Sequence, residues 1–133
     1  MDLYMENILD HGQNPRNFGE PLDPADIHYH DDNPFCGDRL FLTAQLDESG
    51  HIKAVRWQGE GCTISKASAS ILGEEIIGKT LDEVKHIDKE QLLDMLGIHL
   101  SPTRLKCALL SLKVLKAGAY GLSDETFVMD EDE

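Results

Sequence analysis

Residues 38–58 have the sequence DRLFLTAQLDESGHIKAVRWQ, which has the pattern of two β-strands joined by a turn. In its first half, leucine or alanine occupies every second position, which is the period of two of a half-buried β-strand. Residues 47–50 have turn chemistry, and residues 52–58 return as a second strand. The stretch therefore predicts an antiparallel hairpin with a short loop, and residues 27–31 are a candidate third strand because their apolar side chains alternate with histidines.

Outside the hairpin, apolar residues recur at the spacing of helices. This spacing predicts helices over residues 3–11, 64–77, 80–85, 89–96 and 102–119. Gly12 is a plausible end for the first helix, and Thr80 followed by Glu83 matches a capping box at the third. Residues 12–26 contain three prolines and predict an irregular linker. Strands followed by helices are typical of an α+β fold, with helices on one face of a small antiparallel sheet.

Composition limits the function classes. The 133 residues include 12 Lys plus Arg and 25 Asp plus Glu, a formal net charge of −13, which argues against binding nucleic acid or an anionic membrane surface. The sequence contains no apolar run long enough for a membrane span and no signal peptide, so we expect a cytoplasmic protein with reduced thiols. We expect one domain over residues 1–122 and an acidic C-terminal tail over residues 123–133.

The three cysteines carry the candidate chemistry. An odd number cannot be fully paired within one chain, so a disulfide scaffold is excluded and a thiolate site is not. Cys36 lies on a predicted loop before the hairpin, next to Gly37. If residues 36–38 are extended, the Cys36 thiolate and the Asp38 carboxylate face the same side.

The other two cysteines lie at predicted helix starts. Cys62 follows two nearby glycines where a strand ends and a helix begins, and a helix N-terminus favours the thiolate form of a cysteine. Cys107 lies in the opening turns of the last helix, where Arg104 and Lys106 also favour a thiolate. Taken alone, each cysteine is more often a small buried apolar residue, and Cys107 shares a helical face with apolar neighbours.

Three thiolates and one carboxylate form a tetrahedral ligand set for Zn²⁺, and thiolates also suit an iron–sulfur cluster. Because the ligands lie far apart in the sequence, metal binding and folding should be coupled. Among the histidines, His99 is the best candidate for an additional ligand. We expect His11, His51 and His86 to lie at the surface.

Four segments of the sequence resemble one protein family. NPFCGD at residues 33–38, GEGCTIS at 59–65, RLKCA at 104–108 and ILDHGQNPRNFG at 8–19 are similar to motifs of the NifU N-terminal/IscU/SufU family. The resemblance covers about residues 3–120. It implies a three-stranded antiparallel sheet with helices packed on one face.

The resemblance also implies site residues. Lys106 stands where IscU-type proteins usually carry His, and residues 100–104 differ from the IscU motif that an Hsp70-type chaperone recognises. RLKCA instead resembles SufU, which binds zinc through three cysteines and an Asp, although the spacing from the second to the third cysteine is IscU-like. The implied zinc ligands are Cys36, Asp38, Cys62 and Cys107.

By the same resemblance, Cys36 accepts persulfide sulfur from a cysteine desulfurase, so the protein is a sulfur acceptor rather than a conventional turnover enzyme. Its other partners would be apo iron–sulfur proteins or carrier proteins. Two alternatives stay open. The same four ligands could assemble and transfer a [2Fe–2S] cluster or bind Fe²⁺, as in an IscU-type scaffold, or the chain could be a structural zinc module that mediates binding.

Overall fold

A computed structural model of the chain describes residues 3–33 and 37–119. These residues form five helices and three strands. In chain order the elements are α1 (Leu3–Gln13), β1 (Ile27–Asn33), β2 (Asp38–Leu46), β3 (Ile52–Glu60), α2 (Thr63–Ile76), α3 (Leu81–Lys85), α4 (Lys89–Leu96) and α5 (Pro102–Ala119). The predicted acidic tail and Cys36 lie outside the described residues.

The sheet has the order β1-β2-β3, with both neighbouring pairs antiparallel. Leu42 lies opposite Tyr29 on one side and Trp57 on the other, and all three side chains are buried. The predicted hairpin and the candidate third strand are therefore both confirmed.

Two helices cover this apolar face of the sheet. Gly118 of α5 packs so closely on β1 that a Cβ atom there would lie 2.7 Å from Ile27 Cγ2. Gly73 of α2 packs on the ring of Trp57, where a Cβ atom would lie 2.9 Å from Nε1. With α1 packed on α2, this arrangement confirms the α+β fold with its small three-stranded sheet.

The linker between α1 and β1 is packed against the sheet. The backbone N–H of Trp57 donates to the carbonyl oxygen of Asn17 at 2.7 Å, and the backbone N–H of Gly19 donates to the carbonyl oxygen of Trp57 at 3.1 Å. Farther along, Leu22 N–H donates to Thr43 Oγ1 at 3.0 Å. The linker thus satisfies backbone groups at the outer edge of β3, which an unpaired edge strand would leave open.

Local capping explains where the short helices begin and end. The predicted capping box of Thr80 and Glu83 is present at α3, and Asp88 and Gln91 form a second one at α4. Gly97 ends α4 with a left-handed φ of 69°.

The predicted end of α1 at Gly12 is wrong, because the helix continues to Gln13. Gly12 has a packing role instead: a Cβ atom there would lie 2.4 Å from Thr63 Cγ2. The glycine allows α1 to approach the start of α2.

His11 is buried between α1 and α2, so its predicted place at the surface is also wrong. Its Nδ1 lies 2.6 Å from Ser70 Oγ, and its Nε2 lies 3.5 Å from Glu74 Oε1. Burial lowers the pKa of His11 below its ordinary value. Sequence periodicity could not show this because both partners lie on another helix.

No helix among the described residues is both long enough and apolar enough to cross a membrane.

Candidate metal centre

Asp38, Cys62 and Cys107 come together at one end of the sheet. Asp38 is the first residue of β2, Cys62 directly precedes α2, and Cys107 lies in the second turn of α5. One ligand atom from each lies within 4.8 Å of the others. Asp38 and Cys107 are each 1% exposed, whereas Cys62 is partly exposed. The cluster is therefore closed on the side of the core and open beside Cys62.

Two glycines of the segment before α2 allow this approach, each for a different reason. Gly59 has a φ of 142°, and a Cβ atom there would lie 2.0 Å from the Arg39 carbonyl oxygen. Gly61 lies against the Asp38 side chain, where a Cβ atom would be 2.7 Å from Oδ1. The backbone between β3 and α2 can therefore lie directly on the carboxylate.

Hydrogen bonds fix the carboxylate of Asp38 in this position. Cys62 N–H donates to Asp38 Oδ1 at 2.9 Å, and the hydroxyl of Ser65 donates to Oδ2. Cys62 Sγ lies 3.7 Å from the same Oδ2. The first N–H groups of a helix have no partner within the helix, so a carboxylate at this end is both hydrogen-bonded and favoured by the helix dipole.

Cys107 faces the cluster from α5. Its sulfur is buried, as expected for a small apolar residue. The sulfur also lies within 4.8 Å of a ligand atom of Asp38 and of Cys62. The neighbouring side chains of Arg104 and Lys106 are exposed. The two interpretations of Cys107 are therefore compatible, since a ligand can be part of the core.

The structure brings together three of the four predicted site residues. The fourth, Cys36, lies outside the described residues. The condition that residues 36–38 are extended is wrong at Gly37, because its left-handed φ of 68° turns the chain just before Asp38. Within residues 3–33 and 37–119, no histidine, including His99, joins the cluster of Asp38, Cys62 and Cys107.

Ser65 is the residue that sequence reasoning missed. It is fully buried, its hydroxyl contacts Asp38, and it lies 3.2 Å from the carbonyl oxygen of Cys107. A signal was present in the sequence, because residue i+3 of a helix lies on the same side as residue i, here Cys62.

The ligand set fits a metal ion. Two sulfurs and a carboxylate are typical donors for Zn²⁺, which takes four ligands in a closed site. Cys36, two residues before Asp38 in the sequence, has the chemistry that a fourth position requires.

Residues 3–127 match the model of the NifU-like N-terminal domain family. The chain belongs to this family. It is 35% identical to the zinc-dependent sulfurtransferase SufU of Bacillus subtilis, in an alignment that covers 87% of this chain and 88% of the relative. It is 34% identical to the iron–sulfur cluster assembly scaffold protein IscU of Thermotoga maritima, with 91% and 95% covered. The resemblance seen in the sequence motifs is thereby confirmed.

Solved structures of the NifU-like family agree with the fold. FiSufU, a protein assigned to the SUF system of Fervidobacterium islandicum, superposes with a TM-score of 0.72 at 28% identity, covering 86% of this chain and 94% of that one. An N-terminal NifU-like protein of Brucella abortus gives a TM-score of 0.69 at 16% identity, which supports the fold alone. The homologues are thus iron–sulfur cluster assembly proteins of the SufU and IscU types, and this chain has a Cys/Asp cluster that could hold a metal ion.

Proposed function

We propose that this protein accepts persulfide sulfur from a cysteine desulfurase for iron–sulfur cluster assembly, and that it holds zinc with Cys36, Asp38, Cys62 and Cys107. The observation that carries the proposal is the convergence of Asp38, Cys62 and Cys107 within 4.8 Å. A Bacillus subtilis relative named as a zinc-dependent sulfurtransferase supports the choice of ion and of chemistry.

The four ligands have different roles in this proposal. Asp38, Cys62 and Cys107 are fixed by β2, α2 and α5, so they would retain the ion. In this proposal Cys36 is the acceptor and leaves the ion, and its neighbour Gly37 is exposed. Bound zinc would keep these thiols deprotonated at neutral pH.

Sulfur transfer to Cys36 is a thiol–disulfide type of exchange. The Cys36 thiolate attacks the terminal sulfur of the desulfurase persulfide, and a new S–S bond forms to Cys36 Sγ. The S–S bond in the donor breaks, and the donor cysteine leaves as a thiolate. One neutral sulfur atom is transferred with its proton, so no other oxidant or reductant is needed.

The partners in this proposal are proteins. The net charge of −13 favours a desulfurase with a basic or locally complementary docking surface, and it disfavours nucleic acid. Apo iron–sulfur proteins or carrier proteins would receive the sulfur or the assembled cluster.

The test combines metal analysis with a sulfur-transfer assay. The full chain is purified without oxygen, its zinc content is measured, and sulfur on each cysteine is mapped after incubation with a cysteine desulfurase and cysteine. We expect about one zinc per chain and persulfide on Cys36. Cys36→Ser should abolish sulfur acceptance, whereas the control His99→Ser should bind zinc and accept sulfur normally. Unchanged sulfur acceptance by Cys36→Ser would show that the acceptor is another residue.

A second candidate function is assembly of a [2Fe–2S] cluster, as cargo, on the same four ligands. It is favoured by the relatives named as IscU scaffold proteins and by the oxygen ligand Asp38, which would make a cluster easier to release. A transferable cluster formed from iron and sulfide in the desulfurase reaction would support this function. Inert zinc and an unreactive Cys36 would instead indicate a structural zinc module.

A further inference from the structure

The hydroxyl of Ser65 contacts the segments that carry all three described ligands. Ser65 lies three residues after Cys62 on α2, contacts Asp38 of β2, and lies 3.2 Å from the Cys107 carbonyl oxygen of α5. Its side chain is fully buried, so water cannot replace these contacts. A buried hydroxyl with polar groups on both sides is costly unless its hydrogen bonds are made.

The single hydrogen of the hydroxyl goes to Asp38. Two oxygen acceptors lie nearby, and Cys62 Sγ is farther away at 3.8 Å. The carbonyl of Cys107 lies inside a helix, where the N–H four residues later already pairs with it. Asp38 Oδ2 is the nearer acceptor, and a hydrogen bond to an ionised carboxylate is about twice as strong as one to a neutral oxygen. Ser65 therefore donates to Asp38 rather than to Cys107.

Both carboxylate oxygens of Asp38 thus accept a hydrogen bond. Oδ1 receives the N–H of Cys62, and Oδ2 receives the hydroxyl of Ser65. A carboxylate has about four lone-pair positions, so an oxygen that accepts a hydrogen bond can also bind a metal ion. The two donors hold the plane of the carboxylate, and the buried surroundings prevent it from turning.

We propose that Ser65 is a positioning residue that orients Asp38 as a metal ligand. The inference rests on the proposed zinc site and adds a residue to it. Removing the hydroxyl leaves Oδ2 without its donor, while the N–H of Cys62 still holds Oδ1. The carboxylate can then rotate more freely, so Asp38 is no longer held in the orientation that binds the ion.

Ser68 offers a matched control on the same helix. It is also fully buried, and it lies one turn beyond Ser65, but its hydroxyl has no hydrogen-bond partner among the described residues. Ser65→Ala and Ser68→Ala remove the same atom from the same helix and from equally buried positions. Only the first removes a hydrogen bond to the candidate ligand.

The experiment measures zinc affinity by competition with a chelator for the wild type, Ser65→Ala, Ser68→Ala and Cys62→Ser. Ser65→Ala should weaken zinc binding about 10- to 100-fold, the range for outer contacts of metal ligands, and Ser68→Ala should change it less than about twofold. The visible spectrum of the Co²⁺-substituted protein should change in Ser65→Ala and stay unchanged in Ser68→Ala. A spectral change reports on the ligands themselves, which a purely structural role of Ser65 would leave in place.

The outcomes separate this inference from the proposed function. Wild-type affinity in Ser65→Ala together with lost binding in Cys62→Ser would overturn the role of Ser65 alone. Equal losses in Ser65→Ala and Ser68→Ala would also overturn it, since the effect would then come from helix packing. Normal zinc binding in every variant, including Cys62→Ser, would overturn the zinc site itself.

Discussion

Two serines of α2 lie in buried polar clusters, one beside the candidate metal ligands and the other between α1, α2 and the linker. Ser65, at the start of the helix, contacts a carboxylate and lies near the sulfur of Cys62. Ser70, in the middle of the helix, contacts the ring of His11 and accepts the backbone N–H of Arg16 at 2.8 Å. Both join α2 to distant parts of the chain.

The two clusters differ in the atoms that surround the serine hydroxyl. Around Ser70, a single hydroxyl serves a histidine ring and a backbone N–H, and these contacts fasten α1 and the linker to α2. Around Ser65, the sulfurs of Cys62 and Cys107 and the carboxylate of Asp38 converge, and Cys62 is partly exposed. The same residue type on one helix therefore stabilises the fold in one place and orients a candidate ligand in another.

The largest expected effect is a loss of zinc affinity, which should occur when the cluster around Ser65 is changed and not when the cluster around Ser70 is changed. Cys62→Ser should weaken zinc binding more than about 100-fold, beyond the range of an outer contact, because a thiolate ligand is lost. Ser70→Ala should leave zinc affinity unchanged. Chelator competition on both variants checks this, and a loss of binding in Ser70→Ala would mean that the clusters are coupled.

The next effect distinguishes the two glycines before α2. Gly59→Ala should lower the free energy of unfolding by about 3 kcal/mol, because the new Cβ atom meets the backbone of Arg39 at a left-handed φ. Gly61→Ala places its Cβ atom against Asp38 and should mainly weaken zinc binding. Urea unfolding and chelator competition measure both quantities, and equal losses of stability would contradict the distinction.

A smaller effect concerns the cluster around Ser70. Ser70→Ala leaves the N–H of Arg16 and a ring nitrogen of His11 without this partner, which should cost about 1–3 kcal/mol of unfolding free energy. Ser68→Ala is the control, since its hydroxyl has no partner in the described part of the chain. Denaturant unfolding of both variants provides the measurement, and similar values would show that the Ser70 hydrogen bonds contribute little.

The smallest effect is the pH dependence due to His11. Burial lowers the pKa of His11 in the folded state, so the unfolded chain binds the extra proton first as the pH falls. Well above pH 6.5, His11 is neutral in both states and does not change the free energy of unfolding. As the pH falls below about 6.5, protonation of His11 in the unfolded chain should lower the free energy of unfolding, until the pH reaches the lower pKa of the folded state. His11→Gln should flatten the stability curve in this range at saturating zinc, whereas the exposed control His86→Gln should not. A wild-type slope in His11→Gln would assign the effect to other groups.

Local interactions made most of the elements predictable. The period of two in β2, the capping box at Thr80 and the left-handed Gly97 each involve neighbours within a few residues. These contacts act on the chain before it has a tertiary structure, so the sequence pattern is sufficient to show them. The candidate ligands were found in the same way, from the chemistry of their residue types and their family motifs.

Contacts between distant residues were not predictable. His11 is buried because Ser70 lies beside it, 59 positions farther along the chain. Ser65 meets Asp38 across 27 positions and the Cys107 carbonyl across 42. Gly12 lies inside the helix that it was expected to end, and it packs against Thr63, 51 positions farther along the chain. No local pattern contains these partners.

Sequence patterns were sufficient to show the kinds of element, the family and the residue types that can bind a metal. The folded chain was needed to show that Asp38, Cys62 and Cys107 lie together, and that the hydroxyl of Ser65 contacts the carboxylate. The physical reason is the range of the interactions. Backbone propensity and capping act over one turn, whereas a ligand set requires the packing of β2, α2 and α5, which fixes side chains from separate segments at ångström distances.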